Sequence, residues 1–212
     1  MPIFFAFEQA ARTWAGIPTP FNGTCAVWRR AAIAEAGGWS GQSLLEDLDI
    51  SLRAFAKGWT SINLVTLAAA GELPESPAAL VAQRRRWALG TGQSSRALSW
   101  RLLRRMRPDC AVVFCLLSLQ HATLAILLLT AGLSALIGHE LTVFAATLAL
   151  VVGLKSAGAL AAQRALGHAL SIVDLVAMWI MEAMLLPTRA WALVQGLLGR
   201  QSEPFVRTPK KG

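Results

Sequence analysis

Two short stretches of this chain carry residue types that could do chemistry. The first is LLEDLDISLRAFAKGW, which places Glu46, Asp47 and Asp49 within one helical turn. Carboxylates at a helix start are favoured by the positive end of the helix dipole, a purely structural reason for their presence. The same groups suit a general base, if one lies within hydrogen-bond reach of a hydroxyl and holds a pKa fit for proton removal. The residues alone leave open which of the three that is. The second stretch is QRRRW, Gln83 to Trp87. On a helix Gln83, Arg86 and Trp87 share one face, whereas Arg84 and Arg85 point elsewhere. A planar guanidinium matches a diphosphate through paired charge-assisted hydrogen bonds, and an indole face packs on the axial C–H groups of a sugar. The competing reading is a collar, with arginines on lipid headgroups and the tryptophan in the interfacial belt.

The elements that must hold these residues follow from local signals. Arg29 to Ala36 reads as a short helix closed by Gly37 and Gly38, and a second runs from about Leu44 to Lys57, with Gly58 just past its end. INLV, Ile62 to Val65, has the apolar run of a strand. Ser76 followed by Pro77 is a helix start, with a capping side chain and a first residue that needs no amide donor.

The chain has 212 residues, 55% of them hydrophobic, and a formal charge of +8. These averages conceal a shift. Charge and Pro concentrate before about residue 108, and from Asp109 to Gly199 the chain is rich in Leu, Ala and Val. Residues 109–137 and 141–162 are each long and apolar enough to cross a bilayer, separated by GHE. Lys155 interrupts the second and is expected to snorkel or to face a protein partner. A third apolar stretch, 169–198, contains Asp174, Glu182, Pro187 and Arg189 and reads as a further span or an interfacial helix. Arginines precede the first span, Arg164 follows the second, and GHE has neither Lys nor Arg, so both flanks are expected in the cytosol. The tail RTPKKG is basic as well, which favours an even number of crossings: two spans and one interfacial helix. MPIFFAF has no basic leader pattern. Cys25, Cys110 and Cys115 lack metal or disulfide spacing, and the last two read as packing residues of the first apolar segment.

Taken in order, FNGTCAVWRRAAIAEAGGW, LEDLD, RAFAKGW, GELPES and QRRRW resemble the processive family 2 glycosyltransferases, above all the cellulose synthase-like and glucomannan (mannan) synthase-like branches. FVRTPKKG resembles the gating loop of those enzymes, with Arg207 where they have Val, and Leu45 stands where they have Thr before the two acids. The resemblance implies α/β plus membrane α-helices: the C-terminal half of a GT-A nucleotide-sugar fold, followed by interfacial and transmembrane helices. It makes Asp47 the catalytic base with Glu46 beside it. Gln83 and Arg86 become contacts to the diphosphate or the acceptor end, Trp87 the platform on which the acceptor stacks, and Gly23 and Thr24 substrate-binding positions. Phe205, Thr208 and Lys210 become the mobile cover of the nucleotide, while Arg84 and Arg85 remain collar.

The implied layout is 1–75 for the catalytic half-domain, 76–108 for the interfacial helix, 109–163 for a transmembrane pair, 164–199 for an interfacial or third membrane helix, and 200–212 for the tail. The partners implied are a UDP- or GDP-hexose, a polysaccharide or lipid acceptor and membrane lipids, with no nucleic acid. The expected setting is a bacterial inner membrane with the catalytic part cytosolic. Mg²⁺ or Mn²⁺ is expected in the intact enzyme, but no aspartate precedes Asp47, so no metal ligand is expected in this portion. The chain therefore reads as a portion without the donor- and metal-binding first half, whether truncated, split from a second polypeptide, or degenerate. The alternative is a non-catalytic membrane scaffold partnering a complete synthase.

Overall fold

The computed structural model describes residues 9–64, 74–97, 104, 108–138, 141–165, 167 and 171–199, with residues 113–121, 124, 162 and 165 described in backbone only. Among the described residues seven helices follow in chain order: α1 (Ala10–Trp14), α2 (Arg30–Glu35), α3 (Glu46–Phe55), α4 (Pro77–Ala97), α5 (Pro108–Leu136), α6 (Thr142–Ala165) and α7 (Ile172–Leu197).

The local signals act as expected at several ends. Ser76 Oγ accepts from the Ala79 amide at 3.2 Å and starts α4 at Pro77. After α2 the chain turns through Gly37 and Gly38, both with left-handed backbone (φ 84° and 76°). Helix α3 is shorter than its sequence pattern, beginning at Glu46 rather than Leu44, because residues 43–45 form a turn docked on α4.

No strand is present among the described residues, and the expected strand at 62–65 is not formed in its described part, Ile62–Leu64; Val65 lies outside. The physical reason is the partner it meets. Ser61 Oγ accepts from the Thr19 amide and donates to the Thr19 carbonyl, both at 2.6 Å, and the Asn63 amide reaches Thr13 Oγ1. Hydroxyls thus occupy the backbone groups that a ladder would use, and Ile62 and Leu64 stay exposed.

Helix α3 is buried on two sides. Leu48, Leu52 and Phe55 pack with Leu45 against Cys110 at the start of α5, which makes Cys110 the packing residue its spacing suggested. Ile50 and Ala54 pack with Ala36, Trp28, Ile33 and Trp59 on the opposite side. Arg53 donates to Asp49 Oδ2 through Nε and Nη2, at 3.0 and 2.7 Å, and to the Ala36 carbonyl, so it joins α3 to the end of α2.

Helices α4 and α7 make the most extensive packing in the molecule, where Ala88 and Leu89 meet Ala192 with Leu44 at the rim. They cross at two glycines. A methyl group on Gly92 would stand 3.0 Å from the Gly196 Cα and strike the Leu193 carbonyl; one on Gly196 would stand 2.9 Å from the Gly92 Cα. Only glycine permits backbones to approach this closely. Helices α5 and α6 pack on each other, and α5 also lies against α7. Within α6, Thr142–Ala161 has mean hydropathy 1.9, long and apolar enough to cross a membrane, and only 6% of it is buried. Lys155 does not lead out of the bundle: its Nζ donates to Glu182 Oε2 of α7 at 2.9 Å.

Candidate active site

The three candidate acids have different surroundings. Asp49 is buried and committed to Arg53. Glu46 is exposed. Asp47 is partly buried, and its Oδ1 accepts from the Leu48 amide at 2.7 Å. Burial raises its pKa above the ordinary carboxylate range; the Leu48 hydrogen bond opposes that, the charge of Glu46 adds to it, and Arg86 on α4 again opposes it. Of the three acids, Asp47 is the one whose proton affinity its surroundings raise.

A glycine loop closes over this group. Gly23 has φ 77°, and a methyl group there would sit 3.1 Å from Asp47 Oδ2. Two hydrogen bonds anchor the loop: Ser51 Oγ donates to the Asp47 carbonyl at 2.7 Å and accepts from the Phe21 amide at 2.9 Å. Phe21 in turn stands edge-on to Trp28 and Trp39, with ring centres 5.9 and 6.3 Å away. Thr24 is exposed beyond the glycine.

The second half of the site arrives on α4. Ser43 Oγ donates to the Gly90 carbonyl at 3.1 Å and lies 3.0 Å from Ser94 Oγ, and the Leu44 amide donates to Gln93 Oε1 at 2.9 Å. Leu45 fits the space left by Gly90, where a methyl group would come within 2.6 Å of the Leu45 Cγ. This docking sets the Asp47 end of α3 beside Arg86. Ser43, Ser51, Gly90 and Gln93 were not among the residues singled out from sequence. Two glycines inside a helical stretch, ALGTG, were the available signal of a close approach.

Gln83 has its Oε1 buried without a hydrogen-bond partner. Trp87 is partly buried and faces Arg84, whose guanidinium carbon lies 4.5 Å from the ring centre. Arg84, expected to point away from the face that carries Trp87, instead lies over its ring. Three residues along a helix bring the two side chains together, and α7 covers them. The gating-loop candidates Phe205, Thr208 and Lys210 lie outside the described residues.

Among the described residues no three of Asp, Glu, His and Cys come together as a metal site. Asp47 has one oxygen on an amide and the other against Gly23, and Asp49 is paired with Arg53, so these carboxylates do not form a donor set for a divalent cation.

A partly buried carboxylate on α3 thus lies in the field of Arg86 on α4, one residue before Trp87. The chain matches the model of Glycosyl transferase family group 2 over residues 5–194 and belongs to that family, which carries a GT-A-like fold. Among curated proteins it is similar to glucomannan 4-beta-mannosyltransferase 7 of Arabidopsis thaliana, 36% identical over 100 residues that make up 47% of this chain and 18% of the relative. Glucomannan 4-beta-mannosyltransferase 2 of the same plant is 38% identical over 103 residues, 49% of this chain and 19% of the relative. A probable glucomannan 4-beta-mannosyltransferase 2 of Oryza sativa subsp. japonica is 33% identical over 99 residues, 47% of this chain and 17% of the relative. The chain thus spans under a fifth of the length of these relatives, and the resemblance read from the motifs is borne out at the level of the family.

Proposed function

We propose that this chain is the acceptor-activating part of an inverting membrane glycosyltransferase that moves a hexose from a UDP- or GDP-sugar to a glycan or lipid acceptor. The observation that carries this reading is Asp47, partly withdrawn from water at the head of α3 and facing both Gly23 and the field of Arg86. The Asp47 carboxylate takes the proton of an acceptor hydroxyl. The hydroxyl oxygen bonds to the anomeric carbon as the bond from that carbon to the nucleotide diphosphate breaks, so the configuration inverts through an oxocarbenium-like state. Arg86 and Gln83 face the departing diphosphate or the acceptor end, and Trp87 stacks on the acceptor sugar. The divalent cation that the resemblance implies finds no donor set among the described residues, and no step is routed through it. The long apolar helices α5 and α6 cross the membrane as a pair, with α4 along its cytosolic face; the exposure of Leu128, Leu129, Leu150 and Leu154 supports this placement.

The test uses membranes from cells expressing the full reading frame that carries this chain, supplied with labelled UDP- and GDP-hexoses. Asp47→Asn should lower transfer by about 10²–10⁴-fold and leave donor binding nearly intact, because only proton removal is lost. Activity within a few-fold of wild type would remove Asp47 from this role. Absence of transfer from the wild-type protein with every donor would favour a scaffold.

A further inference from the structure

Glu182 and Arg189 on α7 and Lys155 on α6 form one ion-paired cluster, Arg84 on α4 lies within the field of its charges, and the transferase reading uses none of the four. Arg189 on α7 is 6% exposed; its Nη2 donates to Glu182 Oε2 at 2.6 Å, and its Nε is buried with no acceptor. Lys155 on α6 donates to the same Glu182 oxygen at 2.9 Å. Arg84 on α4 is also drawn out of water: burial and then the Arg189 charge lower its proton affinity, and Glu182 opposes them. Two cations thus bond to one carboxylate, and Arg84 has only the field of that cluster. A guanidinium that must remain charged there needs an electron-rich surface, and Arg84 finds it 4.5 Å away in the Trp87 ring.

We infer that Arg84 is a positioning residue for Trp87: its guanidinium, lying in the field of the Glu182 cluster, caps one face of the indole, so that the opposite face is turned to the acceptor sugar. This rests on the transferase reading for its consequence and on the cation–indole stack for its geometry. Without the clamp the indole can turn about its side-chain bonds, and the acceptor loses a preformed flat surface. The hydroxyl to be activated, the donor and Asp47 are unaffected. The expected signature is therefore a change in acceptor KM rather than in kcat or donor KM.

Two readouts test it. The first is fluorine NMR of the full-length protein labelled with 5-fluorotryptophan in nanodiscs, the Trp87 resonance being assigned with Trp87→Phe. Arg84→Gln and Glu182→Gln should shift and broaden that resonance, and Arg85→Gln should leave it in place. The second is steady-state transfer in the same nanodiscs. Arg84→Gln should raise acceptor KM about fivefold to tenfold. Arg84→Lys, which keeps the charge and loses the flat stack, should recover only part of it. A Trp87 resonance unmoved by Arg84→Gln would overturn the clamp even if the protein transfers no sugar. A resonance that moves in a protein without transferase activity would uphold the clamp and sink the transferase reading instead. A loss confined to kcat would place Arg84 in the chemical step and overturn its positioning role.

Discussion

Gly23 and Asp47 are in contact across the site: the glycine leaves 3.1 Å between the place of a methyl group and Asp47 Oδ2, at a backbone φ of 77°. Both the space and the left-handed backbone call for glycine. Gly23→Ala should cost about 1–2 kcal/mol from the backbone alone and push the Asp47 carboxylate off its line. Thermal unfolding in detergent measures the first effect and transfer activity the second. A variant with unchanged activity would show that the glycine loop does not shape the base.

The raised pKa of Asp47 has two consequences of known sign. Activity should rise with pH as the carboxyl loses its proton, with its midpoint above the ordinary carboxylate range. Folding, in contrast, favours the protonated carboxyl. The stability this confers is complete below about pH 4 and is lost as pH rises through the folded-state value. At pH 7–8 the charged Asp47 therefore weakens the fold, and Asp47→Asn should melt higher than wild type. The difference should shrink as pH falls toward 4. A constant difference across that range would mean that burial does not strain this carboxylate.

Among the described residues, Glu182 is the carboxylate that pairs with both Lys155 and Arg189. Glu182→Gln should destabilise the bundle by about 3 kcal/mol, the lower end for breaking a buried pair, since Lys155 keeps part of its surface in solvent. Adding Lys155→Met should restore part of the loss by removing one stranded cation. Melting of the single and double variants in detergent decides this, and equal stability of the two would show that Lys155 does not depend on Glu182.

Topology supplies a further expectation. With Cys25, Cys110 and Cys115 replaced, His139→Cys should react with an impermeant thiol reagent from outside sealed cells. Thr208→Cys should react only after permeabilisation. Labelling of both from the same side would rule out a two-span arrangement.

What the sequence disclosed and what it hid divide by distance along the chain. The start of α4 was readable because Ser76, Pro77 and the Ala79 amide are neighbours. The apolar helices were readable because hydropathy is additive over twenty residues. The choice of Asp47 over Glu46 and Asp49 was not in the residues themselves. It depends on a turn at 43–45 docked on Gly90 and Gln93 and on Arg86 arriving from α4. Arg84 was misread for the same reason: its surroundings come from Glu182 and Arg189, about a hundred residues away. The strand at 62–65 failed because an apolar run specifies extended backbone only if a neighbouring backbone is free to pair, and here hydroxyls of Thr13 and Ser61 fill that place.

The crossing of Gly92 and Gly196 also fixes an order of events during synthesis. Helix α4 leaves the ribosome about a hundred residues before its partner glycine exists, an interval on the order of 5–20 s at ordinary elongation rates. Through that interval Ala88 and Leu89 have no Ala192 to cover them, and Trp87 and Arg84 have no cluster behind them. Helix α4 is made early and completed late. A pause or a cut between α6 and α7 would therefore leave Asp47 and α4 in the chain while the face of α7 that packs on α4 is still unbuilt.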